Sequence, residues 1–281
     1  MCINTATLTL VKQTQTEHGP VSLRLHGTEP ANLVALHGFT QHGAAFEELA
    51  SCLGISVLAP DLPGHGSTDA QPATFAIAVD VVVAVLESRP SKASLVGYSQ
   101  GGRVALGVAL ARPDLIEKLV LISTSPGIED PAVRAARRAA DDGLAGRIEE
   151  IGLAAFVDEW LALDMFAGLG RRPAEWRARD RELRLENTAA GLAGALRGMG
   201  QGAQPYLGAQ LVRLSTPALF IAGGEDRRYV EYAEQMHGLA PHGVLRVVPG
   251  AGHAVVGEAP EVLADLIGAF LRAGGIERAR T

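Results

Sequence analysis

Three residues far apart in this 281-residue chain, Ser99, Asp226 and His253, have the types that together make a serine into a nucleophile or a base. A serine hydroxyl is unreactive until an imidazole takes its proton, and a carboxylate on the other ring nitrogen keeps that imidazole in the useful tautomer. Ser99 is the centre of Gly97-Tyr98-Ser99-Gln100-Gly101, a Gly-x-Ser-x-Gly pattern between an apolar run and a helical pattern. The glycines suit a sharp strand-to-helix turn with an unfavourable backbone conformation. The helix behind it points its N-terminus at the serine, where its dipole and free N–H groups favour developing negative charge. Asp226 follows Gly223-Gly224-Glu225 after one apolar run, and His253 follows Pro249-Gly250-Ala251-Gly252 after another. On spacing alone Glu225 competes with Asp226 as the carboxylate. His37-Gly38-Phe39 supplies a further turn, so the backbone N–H groups of Phe39 and Gln100 are expected to form an oxyanion hole. The turn at 61–66 (DLPGHG) reads as structural.

These turns need a frame that gathers them at one edge. Apolar runs at 33–37, 55–60, 93–98, 119–123, 217–222 and 244–248 have the length and continuity of strands buried on both faces of a parallel sheet. Helical patterns at 75–87, 100–111, 229–239 and 259–271 alternate with them, which predicts an α/β fold with a mostly parallel sheet flanked by helices. Segments 6–11 and 21–25 suggest a hairpin at the sheet edge. The alternation stops between 127 and 207, where Ala, Arg, Glu and Trp recur at helical spacing. The expected organisation is therefore a core of 1–126 and 208–281 with a helical cap, 127–207, inserted over the carboxyl edge of the sheet.

Bulk properties narrow the partners. A net charge of −6 offers no basic surface for nucleic acid or an anionic membrane. The apolar stretches are too short to span a bilayer, and the N-terminus lacks the pattern of a secretory signal. Cys2 and Cys52 form no paired-spacing motif, so no disulfide framework is expected and a reducing, cytoplasmic setting fits. The histidines lack metal-ligand spacing and there is no dinucleotide fingerprint, so neither a metal nor a cofactor is expected. Nothing in the sequence specifies an oligomeric state.

The segments HGF, DLPGHG, GYSQGGR, GGED and GAGH together resemble the α/β-hydrolase superfamily over nearly the whole chain. Gly101-Gly102-Arg103 after the serine resembles, within it, the 2-succinyl-6-hydroxy-2,4-cyclohexadiene-1-carboxylate synthase family of menaquinone biosynthesis. So do PGIEDPAVRAARRAADD at 126–142, the stretch around Trp160 and Phe166, and 183–207. The resemblance implies an α/β-hydrolase fold and a lyase that removes a proton from a cyclohexene carboxylate and expels pyruvate without adding water. It implies Asp226 rather than Glu225 as the acid and Ser99, activated by His253, as the base. The Phe39 and Gln100 amides would then steady charge on the substrate carboxylate. It also implies Arg103, Arg137 and Arg184 as anion-binding residues with Tyr98 and Trp160 beside the substrate, and Arg228 where the family often has lysine.

The chemistry of the substrate agrees with those arginines, because a small molecule with three carboxylates calls for guanidinium groups that pair bidentately. Residues 131–184 hold ten arginines and ten acids, so bulk charge does not bind an anion there; only arginines aimed into a pocket would. For most cap arginines a solvated helix face is the plainer expectation. Arg103, on a small and apolar helix, is the exception, since an idle charge there would be costly. Two other functions use the same residues: a serine hydrolase of an ester, thioester or carbon–carbon bond, and a non-catalytic ligand receptor.

Overall fold

A computed structural model describes residues 9–273. β1 (Thr9–Thr16) and β2 (Gly19–His26) form the antiparallel hairpin at one edge, displaced from the expected 6–11 and 21–25 by a turn at 17–18. Residues 6–8 of that expectation lie outside the described residues. β3 (Leu33–Leu36), α1 (Glu47–Leu53), β4 (Val57–Pro60), α2 (Phe75–Glu87), β5 (Ala93–Tyr98), α3 (Gln100–Ala111) and β6 (Ile116–Ile122) follow. Next come the helices α4 (Pro131–Ile151), α5 (Leu153–Leu161), α6 (Ala174–Arg184) and α7 (Ala189–Met199). β7 (Ala218–Gly223), α8 (Arg227–Leu239), β8 (Gly243–Val248), α9 (Val255–Glu258) and α10 (Pro260–Arg272) complete the described residues.

The sheet order is β1-β2-β4-β3-β5-β6-β7-β8, antiparallel across β1, β2 and β4 and parallel from β4 to β8. The inner strands are apolar on both faces because both faces are covered. Val34, Leu36, Leu95, Leu119 and Leu121 pack with α2, α3 and α8. Leu33, Ala35, Val96, Val120 and Ile122 pack with α1 and α10 on the other side. Burial of about 1.5–3 kcal/mol per large aliphatic side chain explains why no polar alternation survives in these strands. β8 differs from the expected doubly buried strand. It is the outermost strand of the parallel side, and Arg246 and Val247 are exposed.

Between β6 and β7 the chain forms helices joined by loops, with no strand, and caps explain where the helices start. Asp130 Oδ1 accepts from Ala132 and Val133 N–H at 2.8 and 2.9 Å ahead of Pro131, opening α4. Thr188 opens α7 in the same way through Gly191 N–H, at 3.0 Å. Cys52, on α1, is disulfide-bonded. That corrects the expectation from cysteine spacing, and cysteine usage no longer argues for a reducing setting. No helix among the described residues is long and apolar enough to cross a membrane.

At the junction of β5 and α3 backbone packs directly against backbone. A Cβ on Gly101 would lie 2.2 Å from the Leu36 carbonyl oxygen and 2.6 Å from that of His37, and one on Gly97 would lie 2.5 Å from the Gly101 carbonyl oxygen. These neighbours are backbone and cannot rotate away. Gly101→Ala is therefore expected to destabilise the protein by about 1–3 kcal/mol or more, read as a lowered urea midpoint with an unchanged slope.

Candidate active site

Ser99 sits between β5 and α3 with φ 51° and ψ −111°, a conformation most residues avoid. Its backbone holds it there: its N–H donates to Ile122 O at 2.9 Å, and its carbonyl accepts from Thr124 Oγ1 at 2.7 Å. Asp226, at the end of β7, and His253, after β8, meet it across the sheet edge. His253 Nε2 lies 3.0 Å from Ser99 Oγ, and His253 Nδ1 lies 2.8 Å from Asp226 Oδ2. The imidazole is 2 % exposed, so solvent does not compete for those bonds. Glu225, the competing acid, is exposed and pairs with Arg171 at 3.5 Å instead.

The turn carrying Phe39 is held from below. His37 is fully buried; its Nε2 accepts from Leu62 N–H at 2.9 Å, which leaves Nδ1 to donate to Gly38 O at 2.9 Å. Burial lowers the His37 pKa to about 3, so the ring stays a neutral bridge between the 37–39 turn and the DLPGHG turn. Asp61 completes that turn by accepting from Gly43 and Ser67 N–H at 2.8 and 3.2 Å. The structural reading of DLPGHG thus accounts for these contacts. Gln100 is buried at the start of α3, where the first amides of a helix have no intrahelical acceptor.

A cavity, partly open to solvent, lies over Ser99 and His253. Phe39, Tyr98, Ser99, Gln100, Asp226 and His253 line it from the sheet side, and Arg137, Trp160 and Arg184 from the inserted helices. Trp160 packs between Phe39, Phe156 and Phe166 with ring centroids 5.2, 6.0 and 5.6 Å away, and its buried indole N–H has no acceptor among the described residues. Tyr98 lies 5.6 Å from the His253 ring, and burial raises its phenol well above the usual range.

The four expected arginines all line this cavity, but in different electrostatic states. Arg103 is 6 % exposed and donates only to neutral groups, Met199 O at 2.7 Å and Gln204 Oε1 at 3.1 Å. Burial holds its guanidinium down at about 10, and no carboxylate among the described residues pairs with it. Arg137 pairs with Asp141 at 2.7 Å while Nη1 reaches Gln201 Oε1 at 2.8 Å. Arg184 pairs with Asp180 at 2.8 Å and bonds Thr40 Oγ1. Arg228 is exposed and lies over the Tyr232 ring, 5.6 Å from its centroid, so it belongs to the rim. Elsewhere among the inserted helices Arg147, Arg181 and Arg197 pair with Glu159, Asp158 and Glu149 on the surface.

Sequence reasoning missed the residues that hold the site in shape. Glu258, on α9, accepts from Gly252 N–H at 2.8 Å and Ala254 N–H at 3.1 Å, clamping the loop on both sides of His253. Asp141 bridges Arg137 to Gly202 N–H at 3.0 Å. Tyr229 lies 4.4 Å from the His253 ring. A carboxylate five residues past the histidine and an aromatic three residues past Asp226 on its helix were the available signals. Among the described residues, Glu17, His18 and Asp80 bring potential metal-ligand atoms within 4.8 Å of one another, and none of them lines the cavity.

Comparison with known proteins places this geometry. Residues 33–266 match the alpha/beta hydrolase family model. A Bacillus subtilis protein provisionally named 2-succinyl-6-hydroxy-2,4-cyclohexadiene-1-carboxylate synthase is 35 % identical over 85 % of this chain and 89 % of its own length. The enzyme of that name from Serratia proteamaculans is 32 % identical over 79 % of this chain and 85 % of its own. The structure of MenH from S. aureus superposes with a TM-score of 0.84 at 30 % identity, covering 92 % of this chain and 98 % of that one. The chain belongs to the alpha/beta hydrolase family, in its group of 2-succinyl-6-hydroxy-2,4-cyclohexadiene-1-carboxylate synthases.

Proposed function

We propose that this enzyme eliminates pyruvate from 2-succinyl-5-enolpyruvyl-6-hydroxy-3-cyclohexene-1-carboxylate to give 2-succinyl-6-hydroxy-2,4-cyclohexadiene-1-carboxylate. The observation that carries the proposal is Arg103, a buried cation with no carboxylate partner among the described residues, one helical turn from a serine hydrogen-bonded to an imidazole. A cavity for a neutral ester has no use for that charge. A polyanionic substrate supplies the missing partner.

In this reading His253 takes the Ser99 proton while Asp226 orients the ring and stabilises its charged form. The resulting Ser99 oxygen removes the ring proton at C2, which the adjacent succinyl ketone acidifies. The C–H electrons form the C2=C3 bond, the old C3=C4 pair moves to C4=C5, and the C5–O bond breaks. The enolpyruvyl oxygen leaves with that electron pair as pyruvate enolate, which takes up a proton. Charge builds on the succinyl carbonyl, rather than on a carboxylate as first expected, and the Phe39 and Gln100 amides face it. Residues 127–207 act as the cap, with Trp160 as an apolar ceiling that sheds water from the carbanion. Arg137 and Arg184 enter already paired, so they orient a carboxylate with charge partly spent; Arg228 guides it at the rim. The partner is a small anion, neither nucleic acid nor membrane.

Ser99→Ala and His253→Ala are expected to lower pyruvate release by about 10³-fold or more with unchanged circular dichroism. Near-normal release by Ser99→Ala would exclude the serine as base. Arg103→Met separates function from stability. It removes a buried cation in favour of apolar volume, so the melting temperature is expected to hold or rise. The value of kcat/KM for the enolpyruvyl substrate should nevertheless fall about 10- to 100-fold, because a charge-assisted pair is lost.

A further inference from the structure

Tyr229 has no role in the steps above, yet it occupies the centre of the site. It stands one turn beyond Asp226 on α8, where its backbone N–H donates to Asp226 Oδ1 at 3.4 Å. Its ring tilts against the His253 imidazole with centroids 4.4 Å apart, and its side chain lines the cavity. The hydrogen-bond pattern around the hydroxyl is directional. Gln201 Oε1 accepts from Arg137 Nη1 at 2.8 Å, so the other end of that amide is its NH2 group, and Nε2 donates to the Tyr229 oxygen at 3.0 Å. The phenol oxygen is thus an acceptor within the protein, and its own hydrogen has no acceptor among the described residues.

The charge around that hydrogen selects what it meets. Arg103, Arg137 and Arg228 all act on the phenol and pull its pKa down, but burial outweighs them and holds it above the ordinary value. The group therefore keeps its proton at neutral pH and is a donor. Asp226 is the acid near it, and both oxygens of Asp226 are engaged, one by His253 and one by the Tyr229 backbone. A neutral donor ringed by guanidinium groups, with its proton unclaimed, is suited to an anionic oxygen brought in from outside.

We infer that Tyr229 is a carboxylate-binding residue of this site, its phenolic O–H donating to a substrate carboxylate gathered between Arg103 and Arg137. The inference rests on the cavity being that of the polyanionic substrate proposed above. It assigns the phenol a share in recognition beside the two guanidinium groups, with Gln201 as the residue that aims it. Tyr229→Phe is the direct probe, since the ring stays against His253 and only the donor is lost.

The test pairs two measurements on wild type and Tyr229→Phe. Calorimetry reads the affinity for 4-(2-carboxyphenyl)-4-oxobutanoate, a dicarboxylate that keeps the ring carboxylate and succinyl chain of the product in aromatic form. Inactivation by phenylmethanesulfonyl fluoride, a neutral reagent, reads the Ser99–His253 pair with no carboxylate involved. The dicarboxylate Kd is expected to rise about 10- to 100-fold in Tyr229→Phe, with KM for the enolpyruvyl substrate rising more than kcat falls. Labelling of Ser99 should slow by a much smaller factor. An unchanged Kd overturns the inference, as does an equal loss in both measurements, which would make the phenol a prop for the imidazole alone. Failure of the dicarboxylate to bind wild type overturns it as well. Binding that is lost in Tyr229→Phe, from a wild type that releases no pyruvate, supports the carboxylate contact and overturns only the lyase reading.

Discussion

The backbone at Ser99 is the constraint around which the remaining contacts are arranged. A non-glycine residue at φ 51° persists only when its surroundings leave it no alternative, and here they do. Gly97 and Gly101 let β5, α3 and the end of β3 approach to distances that any side chain would block. The same close approach brings the 37–39 turn beside the start of α3, so one packing arrangement positions both the hydroxyl and the two amides proposed to face it. The second half of the site is built separately and meets the first across the sheet. Asp226 comes from β7, and His253 rides on a loop whose flanking amides are fixed by Glu258. Each loop is held by its own hydrogen bonds, and together they bring His253 Nε2 to 3.0 Å from Ser99 Oγ.

Above this frame the cavity distributes charge unevenly. Most arginines among the inserted helices are matched to acids on the surface, where such pairs contribute little to stability. Arg137 and Arg184 are matched too, but at the cavity wall. Arg103 is buried too, but no acid among the described residues matches it. A protein that leaves a guanidinium buried against a carbonyl and an amide keeps a site that is more stable when an anion arrives. The phenol of Tyr229, with its proton unclaimed beside the same group, extends that asymmetry from one residue to a surface.

Much of this could be seen in the residues before any coordinates. Glycine-rich turns after apolar runs located Ser99, Asp226 and His253, because a sheet edge with helices behind it demands such turns. α2, α3 and β5 fall where the periodicity put them, since each is buried against a neighbour on a clear stripe or on both faces. The hairpin was displaced because β1 is largely exposed and carries polar residues that give no period. α1 was overlooked although Glu47, Glu48 and the left-handed Gly54 mark its ends; at seven residues it is too short to show a moment. Among the arginines, sequence could name candidates but could not separate free from paired. That distinction depends on Asp141, Asp180 and the 199–204 segment arriving from elsewhere in the chain. Glu258 and Tyr229 were missed for the same reason, as their importance lies in what they face.

The central claim is that this site removes a proton and lets a leaving group depart, with no water entering the product. Following the absorbance of the conjugated diene and the release of pyruvate together, in one cuvette with the enolpyruvyl cyclohexene substrate, tests it most directly. The account predicts that diene and pyruvate appear at the same rate and in equal amounts. Pyruvate accompanied by an allylic alcohol at C5 that keeps the C3=C4 bond instead of the diene, or no pyruvate at all beside brisk cleavage of simple esters, would contradict it.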